Sequence, residues 1–278
     1  MSDLSPSNSR PVECPELEAA MWRLYRDFLD QAERKRRWSV RNSIPWDRCN
    51  QNLAPEIAAV VEAFCAIELY LPDYLGKILP VVRHSRARVW FYANWGYEES
   101  KHSLALNDWL VRSGQRTEEQ MADLDDKVFK HEWNLPFDSH LGMLAYAMVQ
   151  ERATWLNYRN LRQRAIDKGG DPALEKVLML VMVDERAHHS FFQECVELFL
   201  KFDRAAMIEQ LRRVMHSFQM PTIHSTAEGL QQIARIKSLA IFDEDIYYRE
   251  VYLPLLADLG VSRAEMRNKA RVPKSAQV

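Results

Sequence analysis

Apolar residues recur at steps of three and four along five long stretches of the chain. This spacing places them on one face of a helix, whereas the short alternating runs that are typical of β-strands are missing from the sequence. We therefore predict an all-α protein. The predicted helices run over about Pro15–Arg36, Pro55–Pro80 with a kink at Pro72, Ser85–Ser113, Pro136–Lys168, and from Asp171 to beyond Phe199.

The segments outside these helices have other patterns. Trp38–Pro55 holds two tryptophans among charged residues, and we expect it to be ordered because large aromatic side chains usually pack onto a core. Thr117–Lys130 is rich in acids and is interpreted as a connection. Ala205–Leu259 predicts two or three further helices, which we expect to be broken at Pro221 and Pro254.

The chain contains no short repeat and no low-complexity insert that would divide it. We expect one domain over residues 15–270, with a disordered start at 1–14 and a frayed end at 271–278. Met1–Pro11 is rich in Ser, Asn and Pro and lacks an apolar segment, which argues against a signal peptide or a membrane anchor. A cytoplasmic protein without membrane contact is the expectation.

Composition and charge exclude several classes of function. Of the 278 residues 47% are hydrophobic, which is enough for a sizeable buried core. The formal net charge of -2 at pH 7 creates no field that would attract nucleic acid, so we expect no nucleic-acid partner. The 4 cysteines are widely spaced without a C-x-x-C pair, which argues against a zinc knuckle or a disulfide framework and favours ordinary reduced thiols.

Glutamates interrupt the apolar faces of four predicted helices, and histidines follow two of these glutamates by three residues. An E-x-x-H pair places both side chains on one helical face within reach of one ion, because residues three apart are neighbours on the helix surface. The residues concerned are Glu68, Glu99, His102, Glu151, Glu185 and His188.

Four buried carboxylates are very costly if they remain ionised and unpaired. Two divalent cations would balance their charge, and two neutral imidazoles would complete the coordination. Singly, a helical glutamate is usually solvated, and a lone histidine on an apolar face is usually a satisfied core residue. Together the six positions reproduce the ligand pattern of di-iron and di-manganese four-helix bundles, so we predict a two-metal site.

Four motifs in the chain carry a family resemblance. They read E-L-Y-L-P-D-Y at Glu68–Tyr74, E-E-S-K-H at Glu98–His102, Q-E-R-A-T at Gln150–Thr154 and D-E-R-A-H at Asp184–His188. In these motifs the chain resembles the soluble acyl-carrier-protein desaturases, which include the plastid stearoyl type and shorter bacterial members. The resemblance covers about Trp38 to Phe192.

The resemblance implies a ferritin-like four-helix bundle with flanking helices that forms a homodimer. It implies two iron ions, O₂ as co-substrate, reduced ferredoxin as electron donor, and a substrate carried as a thioester on acyl carrier protein. By position, Thr154 matches a residue that handles oxygen. Trp38 and Asp184 match a route from the surface to the metal through His102.

Each of these three residues also has a plainer interpretation. Thr154 could bond its own backbone, Trp38 could anchor a loop, and Asp184 could serve only as the acceptor for an imidazole N–H. Ala187 and His189 depart from the plant motif around the last ligand. Basic clusters at Arg34–Arg37, Arg83–Arg88 and Arg212–Arg213 could face an acidic carrier protein or simply be solvated.

Two other functions fit the same predicted ligands. An oxygenase would hydroxylate a carrier-bound substrate by returning oxygen to it. A ferritin-like protein for iron storage or peroxide removal would need no organic substrate. The predicted helices beyond Phe199 and the Trp38–Pro55 segment favour an enzyme that processes a substrate.

Overall fold

The computed structural model describes residues 14–220 and 227–267, and these form helices with no strand among them. Pro221 and nearly all of the predicted disordered start and frayed end lie outside the described residues. The helices are α1 Pro15–Gln31, α2 Pro55–Glu68, α3 Leu71–Val82, α4 Arg86–Arg112, α5 Glu118–Phe129, α6 His140–Asp167, α7 Pro172–Phe202, α8 Arg204–Ser217, α9 Ala227–Ser238, α10 Glu244–Ile246, α11 Leu253–Asp258 and α12 Arg263–Arg267.

Four of these helices, α2, α4, α6 and α7, form the central bundle. The most extensive helix–helix contact is between α6 and α7, and the next is between α2 and α4. Helix α1 covers α4 and α7, and its apolar face is buried against them. Helix α1 therefore closes the bundle interior on one side.

Helix α1 ends in a π-helical turn, Ala32–Arg36. The backbone N–H of Arg37 donates to the carbonyl of Ala32, five residues earlier, at 3.1 Å. Together α1 and this turn cover the predicted first helix. This hydrogen bond closes one residue later than in an α-helix, and Arg36 and Arg37 at the end of the turn contact acids inside the bundle.

The predicted second helix is two helices rather than one kinked helix. Helix α2 ends at Glu68 and α3 begins at Leu71. Pro72 has no N–H to donate to the carbonyl of Glu68, four residues earlier, so the helix cannot continue through this point. The correction matters for the site, because Glu68 lies at the last position of α2, where the chain turns.

Three other expectations need correction. The acidic stretch after Thr117 is helix α5, which begins with a capping box between Thr117 and Gln120. Helix α6 begins at His140, capped by Ser139, and not at Pro136. Pro254 breaks nothing, because it lies in the first turn of α11, directly after a π-helical segment that continues from α10.

The segment between α1 and α2 is ordered, as its tryptophans predicted. Trp38 is buried, and the indole N–H of Trp46 donates to the carbonyl of Val40 at 2.9 Å. The backbone N–H of Asn50 donates to Asp171, the residue that caps α7, at 2.8 Å. This contact fixes the segment to the start of α7.

None of the described helices is long and apolar enough to cross a membrane. The 4 cysteines are all unpaired, with Cys65 and Cys195 buried and Cys14 and Cys49 partly so. The prediction of free thiols is confirmed.

Candidate metal centre

The bundle brings all six predicted ligand residues to one place. Glu68 comes from the end of α2, Glu99 and His102 from α4, Glu151 from α6, and Glu185 and His188 from α7. Every one of these side chains is buried. They form two overlapping groups whose ligand atoms lie within 4.8 Å of one another, one made of Glu68, Glu99, His102 and Glu185 and the other of Glu99, Glu151, Glu185 and His188.

Glu99 and Glu185 belong to both groups and lie between the two histidines. The Nδ1 atom of His102 lies 3.2 Å from Glu99 and 3.3 Å from Glu185. The Nδ1 atom of His188 lies 2.9 Å from the other oxygen of Glu99 and 3.5 Å from Glu151. Glu99 therefore presents one oxygen to each histidine, so it could serve as a ligand beside either one.

The chemistry of these atoms fits two cations. Among the described residues, Glu99 Oε1 and the Nδ1 atoms of His102 and His188 are buried without a hydrogen-bond partner. Buried polar atoms normally have a partner, and these converge on one another instead. Carboxylate oxygens and imidazole nitrogens are donors that divalent iron and manganese accept. The six residues can thus hold two metal ions.

Without cations the buried acids of the cluster cannot all be ionised and paired with an opposite charge. Burial raises the pKa of Glu68 to about 8, and the negative charge of Glu99 adds to this. Burial likewise raises the pKa of Glu185 well above its usual range. Burial alone would lower the pKa of His102, but Glu99 and Asp184 outweigh it and raise that pKa. The protein can therefore keep this cluster buried only by binding protons or cations.

The terminal carboxylate in each group is held by an aromatic donor. The hydroxyl of Tyr158 donates to Glu68 at 2.5 Å. The indole N–H of Trp95 donates to Glu151 at 3.1 Å. Both aromatic residues come from the bundle helices themselves, so these contacts fix Glu68 and Glu151 before any ion binds.

A second pair of acids lies behind the histidines and is arranged reciprocally. Asp184, which precedes Glu185 on α7, lies 3.5 Å from Nε2 of His102 on α4. Glu98, which precedes Glu99 on α4, lies 2.8 Å from Nε2 of His188 on α7. Each histidine thus presents Nδ1 to the cluster and Nε2 to an acid from the opposite helix. Such partners orient metal-binding imidazoles.

Two consecutive arginines at the end of the π-helical turn, Arg36 and Arg37, neutralise these outer acids. Arg36 Nη1 donates to Asp184 at 2.9 Å and lies 3.6 Å from Glu98. Arg37 Nη1 donates to Glu98 at 2.5 Å. Two divalent cations and two guanidinium groups would together match the charge of the six buried carboxylates.

Trp38 continues this network toward the surface. Its indole N–H donates to Asp184 at 2.6 Å, so Trp38, Asp184 and His102 form a continuous chain of contacts. The ammonium group of Lys101 lies 4.5 Å from the centre of the Trp38 ring. This arrangement is compatible with both interpretations of Trp38, as an anchor of its segment and as part of a route to the cluster.

A family model described as fatty acid desaturase matches residues 20–271 of the chain. The chain belongs to this fatty acid desaturase family. Over 220 residues this desaturase-family chain is 23% identical to DesA1 of Mycobacterium tuberculosis, which is named as an acyl-[acyl-carrier-protein] desaturase; the match covers 76% of the chain and 63% of DesA1. The chain therefore spans less than two thirds of that relative.

Other comparisons agree with the family. Over 133 residues, which are 46% of this chain and 32% of the plant protein, the chain is 29% identical to stearoyl-[acyl-carrier-protein] 9-desaturase 5 of Arabidopsis thaliana. The crystal structure of DesA2 of M. tuberculosis covers 90% of the chain with a TM-score of 0.69 at 16% identity, and 97% of DesA2 is matched.

The R2-like ligand-binding oxidase of Sulfolobus acidocaldarius matches more distantly. Its TM-score is 0.52 at 14% identity, covering 88% of this chain and 92% of the oxidase. At these identities the two structural matches show the fold alone. The predicted ferritin-like helical fold is confirmed.

A row of three cavities borders the cluster in this desaturase-family chain. The middle one, of about 30 Å³, is lined by all four glutamates of the cluster and by Thr154. An inner apolar cavity of about 30 Å³ shares Tyr74, Trp95, Gln150 and Glu151 with it. A surface cleft of about 270 Å³ shares Phe64, Ile67, Asn157 and Met220 with it.

Some residues of the site were missed in the sequence. Glu98 was visible only as part of a motif, although acids precede the ligand glutamate in both E-x-x-H motifs. The inward positions of Arg36 and Arg37 depend on a π-helical turn, which no simple spacing predicts. Conversely, His189 does not face the cluster, because its Nδ1 contacts the backbone carbonyl of Met148 at 2.9 Å.

Proposed function

We propose that the chain is an O₂-dependent di-iron desaturase, which introduces a cis double bond into an acyl chain carried as a thioester on acyl carrier protein, with electrons from ferredoxin. The observation that carries the proposal is that the four glutamates of the cluster line a cavity that shares its walls with an apolar cavity on one side and a surface cleft on the other. Membership in the fatty acid desaturase family supports it.

The residues proposed to hold iron are Glu68, Glu99, His102, Glu151, Glu185 and His188. When bound, the iron pair supplies the reduction of O₂: two hydrogen atoms from adjacent carbons and two external electrons with two protons convert O₂ into two water molecules. The chain itself positions the methylene groups, keeps the site dry and delivers electrons and protons.

The cavities suggest how an acyl chain would lie. Their shared walls form one row from the surface cleft, past the glutamates, to the inner cavity, which is lined by apolar and aromatic side chains such as Ile78, Met143 and Phe192. The middle and inner spaces, of about 30 Å³ each, are too small for several methylene groups. Side chains between the cavities must therefore change rotamer to admit a chain, and the wider cleft would face the thioester.

Two further residues receive roles in this proposal. In this proposal the Thr154 hydroxyl donates a hydrogen bond where O₂ is reduced, and the position of Thr154 in the wall of the middle cavity supports this role. Trp38 and Asp184 lie on the opposite side, where they connect the outside of His102 with the segment after α1. We assign electron entry to that side.

The experiment that tests the proposal is a single-turnover reaction. The protein is reconstituted with ferrous iron without oxygen, then given O₂, reduced ferredoxin and a panel of acyl-carrier-protein thioesters that differ in chain length. The intact mass of each product is measured. Loss of two hydrogens with one chain length, and no change with Glu151→Ala, is the expected result.

The other outcomes lead to different functions. A product that is heavier by one oxygen atom would indicate hydroxylation instead of desaturation. Iron uptake far above two ions per chain, without any change in substrate mass, would indicate an iron-handling protein instead of either enzyme. No mass change with any thioester, at full iron loading and with competent ferredoxin, would contradict the proposal.

A further inference from the structure

The wall that helix α6 contributes to the row of cavities is polar. Gln150, Thr154 and Asn157 follow one another at steps of four and three, and all three line the middle cavity. Residues at these steps lie on one face of a helix. A plain hydrocarbon chain in the cavity would offer these side chains no hydrogen bond, so the wall is more polar than such a chain requires.

Asn157 lies where the middle cavity joins the surface cleft. The two spaces share four of the described residues, and beside Asn157 these are the apolar residues Phe64, Ile67 and Met220. Asn157 is 4% exposed, and its Oδ1 atom is buried without a hydrogen-bond partner among the described residues. Buried polar atoms normally have a partner, so a group in the passage would have to supply the donor that the protein lacks.

The other buried atoms without a partner specify a ligand less clearly. Among the described residues outside the metal cluster, they are nitrogen atoms of Arg, Lys and Asn side chains and the hydroxyl of Tyr74. Tyr74 also lines the middle and inner cavities, but a hydroxyl can rotate either to donate or to accept. A carboxamide oxygen can only accept. Asn157 therefore requires an O–H or N–H group from whatever occupies the passage.

We propose that the substrate of this chain is a hydroxyacyl group, whose hydroxyl donates to Asn157 Oδ1 and accepts from Asn157 Nδ2. The inference rests on the proposed function and names the substrate class of that site. Because Asn157 lies between the cleft and the metal centre, the hydroxyl belongs on the carbon chain between the thioester and the carbons that react. The carboxamide then selects such chains and fixes their position along the cavities.

An amide of the carrier's pantetheine arm is the other donor that could enter the passage. A secondary amide is trans, so its N–H and its C=O point in opposite directions. Asn157 could pair with one of these groups, while the side chains of Phe64, Ile67 and Met220 have no donor for the carbonyl. A hydroxyl donates and accepts through one atom, so a single carboxamide meets both roles. The lone polar side chain at the junction therefore favours a hydroxyl.

The first test measures binding without turnover. The protein is loaded with ferrous iron in the absence of oxygen and titrated by calorimetry with saturated acyl-pantetheine thioesters. At each chain length the thioester is plain or carries one hydroxyl at successive carbons. We expect one positional isomer to bind about tenfold more tightly than the plain thioester, as one hydrogen bond to a buried group does. If no thioester binds, or if plain and hydroxylated chains bind equally, the proposal is wrong.

Asn157→Leu tests whether the carboxamide causes this preference. Leucine has a similar size but no polar side-chain atom, so the preference should vanish while the plain thioester binds at least as tightly as before. The melting temperature without ligand should not fall, because the oxygen that is removed has no partner in the described protein. A purely structural asparagine would give the opposite result, a lower melting temperature and an unchanged preference.

Two further variants complete this test. Asn157→Ala removes the carboxamide without adding bulk, and it gives the same readout if the leucine variant does not fold. Asn160→Leu is the matched control one turn further along α6, where Asn160 Nδ2 donates to the carbonyl of Ile241 at 2.8 Å. This control should melt at a lower temperature and keep the preference for the hydroxylated chain. A preference that survives in Asn157→Ala would show that another group binds the hydroxyl, which contradicts the proposal.

The second test follows the reaction. When methylene groups are inserted between the thioester and the hydroxyl, the new double bond should keep its distance from the hydroxyl, because Asn157 fixes the hydroxyl relative to the metal centre. The position is determined from fragment masses of the products. A double bond at a constant distance from the thioester would contradict the proposal. If no double bond forms at all, the proposed function fails, and the measured affinities still decide whether Asn157 binds a hydroxyl.

Discussion

The candidate metal centre has two halves, one around His102 and Glu68 and the other around His188 and Glu151. The ligands of the two halves are alike, and Glu99 and Glu185 are shared between them. The surroundings differ. Behind His102, Asp184 is held by a neutral indole, Trp38, and by one guanidinium, Arg36. Behind His188, Glu98 is held chiefly by the charged group of Arg37.

We propose that this difference divides the work between the two halves. In this proposal the indole of Trp38, which donates to Asp184, gives the His102 half a path for electrons toward the segment after α1. The His188 half ends in an ion pair, which compensates charge. The middle cavity, with Thr154, lies on the side away from both outer acids. The contrast predicts which substitutions affect metal binding, charge and electron transfer.

Removal of a shared glutamate should have the largest effect. Glu185→Gln takes away a charge that lies between the two histidines, so we expect the binding of two ions to be lost, whereas Glu68→Gln, near His102 alone, should weaken chiefly the binding of one ion. Iron per chain is measured after reconstitution. Thermal unfolding with and without iron gives a second readout, because an ion at 100 times its Kd stabilises by about 2.7 kcal/mol. Equal iron retention by the two variants would contradict the inference that Glu185 is shared between the two ligand groups.

Substitution of the outer acids, Glu98 and Asp184, should have the next largest effect and should distinguish the two halves of the centre. We expect Glu98→Gln and Asp184→Asn each to weaken iron binding about 10- to 100-fold, as partners of metal-bound histidines do. Asp184→Asn should also lower the melting temperature more, because it neutralises the partner of the more buried guanidinium, Arg36, whose other acid, Glu98, is 3.6 Å away, whereas Arg37 keeps Glu33 and Asn94 when Glu98 is neutralised. Equal losses of stability would show that the arginines do not distinguish the halves.

Trp38→Phe tests the path away from His102. The variant loses the indole donor to Asp184 but keeps an aromatic ring, so iron content should stay intact while reduction by ferredoxin slows. Trp46→Phe is the matched control, because that indole donates to the carbonyl of Val40 in the same segment. Rates are measured by stopped flow with iron-loaded protein. If both variants are reduced as fast as the parent chain, Trp38 is only an anchor.

Much of the fold and of the cluster was predictable from spacing. Glutamates within long apolar stripes predict burial with a compensating charge, because a bundle in which four helices each bury an unpaired carboxylate would be strongly destabilised. The stripes therefore placed Glu68, Glu99, Glu151 and Glu185 in the interior. The end of α2 was not predicted, because the apolar spacing continues through Leu71 and hides the missing N–H of Pro72.

The surroundings of the cluster were harder to predict. Arg36 and Arg37 belong to a basic run that usually indicates a solvated face, and only the π-helical turn directs them inward. Arg88, in another such run, is buried against Glu18 and His140. A period in sequence specifies one face of a regular helix, but it does not show where the helix changes its winding or which charges find partners from distant helices.

The smallest difference between the halves should come from the aromatic donors to the terminal glutamates. Tyr158→Phe removes a 2.5 Å bond to Glu68, and Trp95→Phe removes a 3.1 Å bond to Glu151. Each hydrogen bond to a charged group contributes about 1.5–3 kcal/mol, and the shorter bond belongs at the upper end. Iron affinity should therefore fall more at the His102 half for Tyr158→Phe than at the His188 half for Trp95→Phe. Titration of the metal-free variants with ferrous iron resolves the two steps, and a larger loss for Trp95→Phe would reverse the order of the halves.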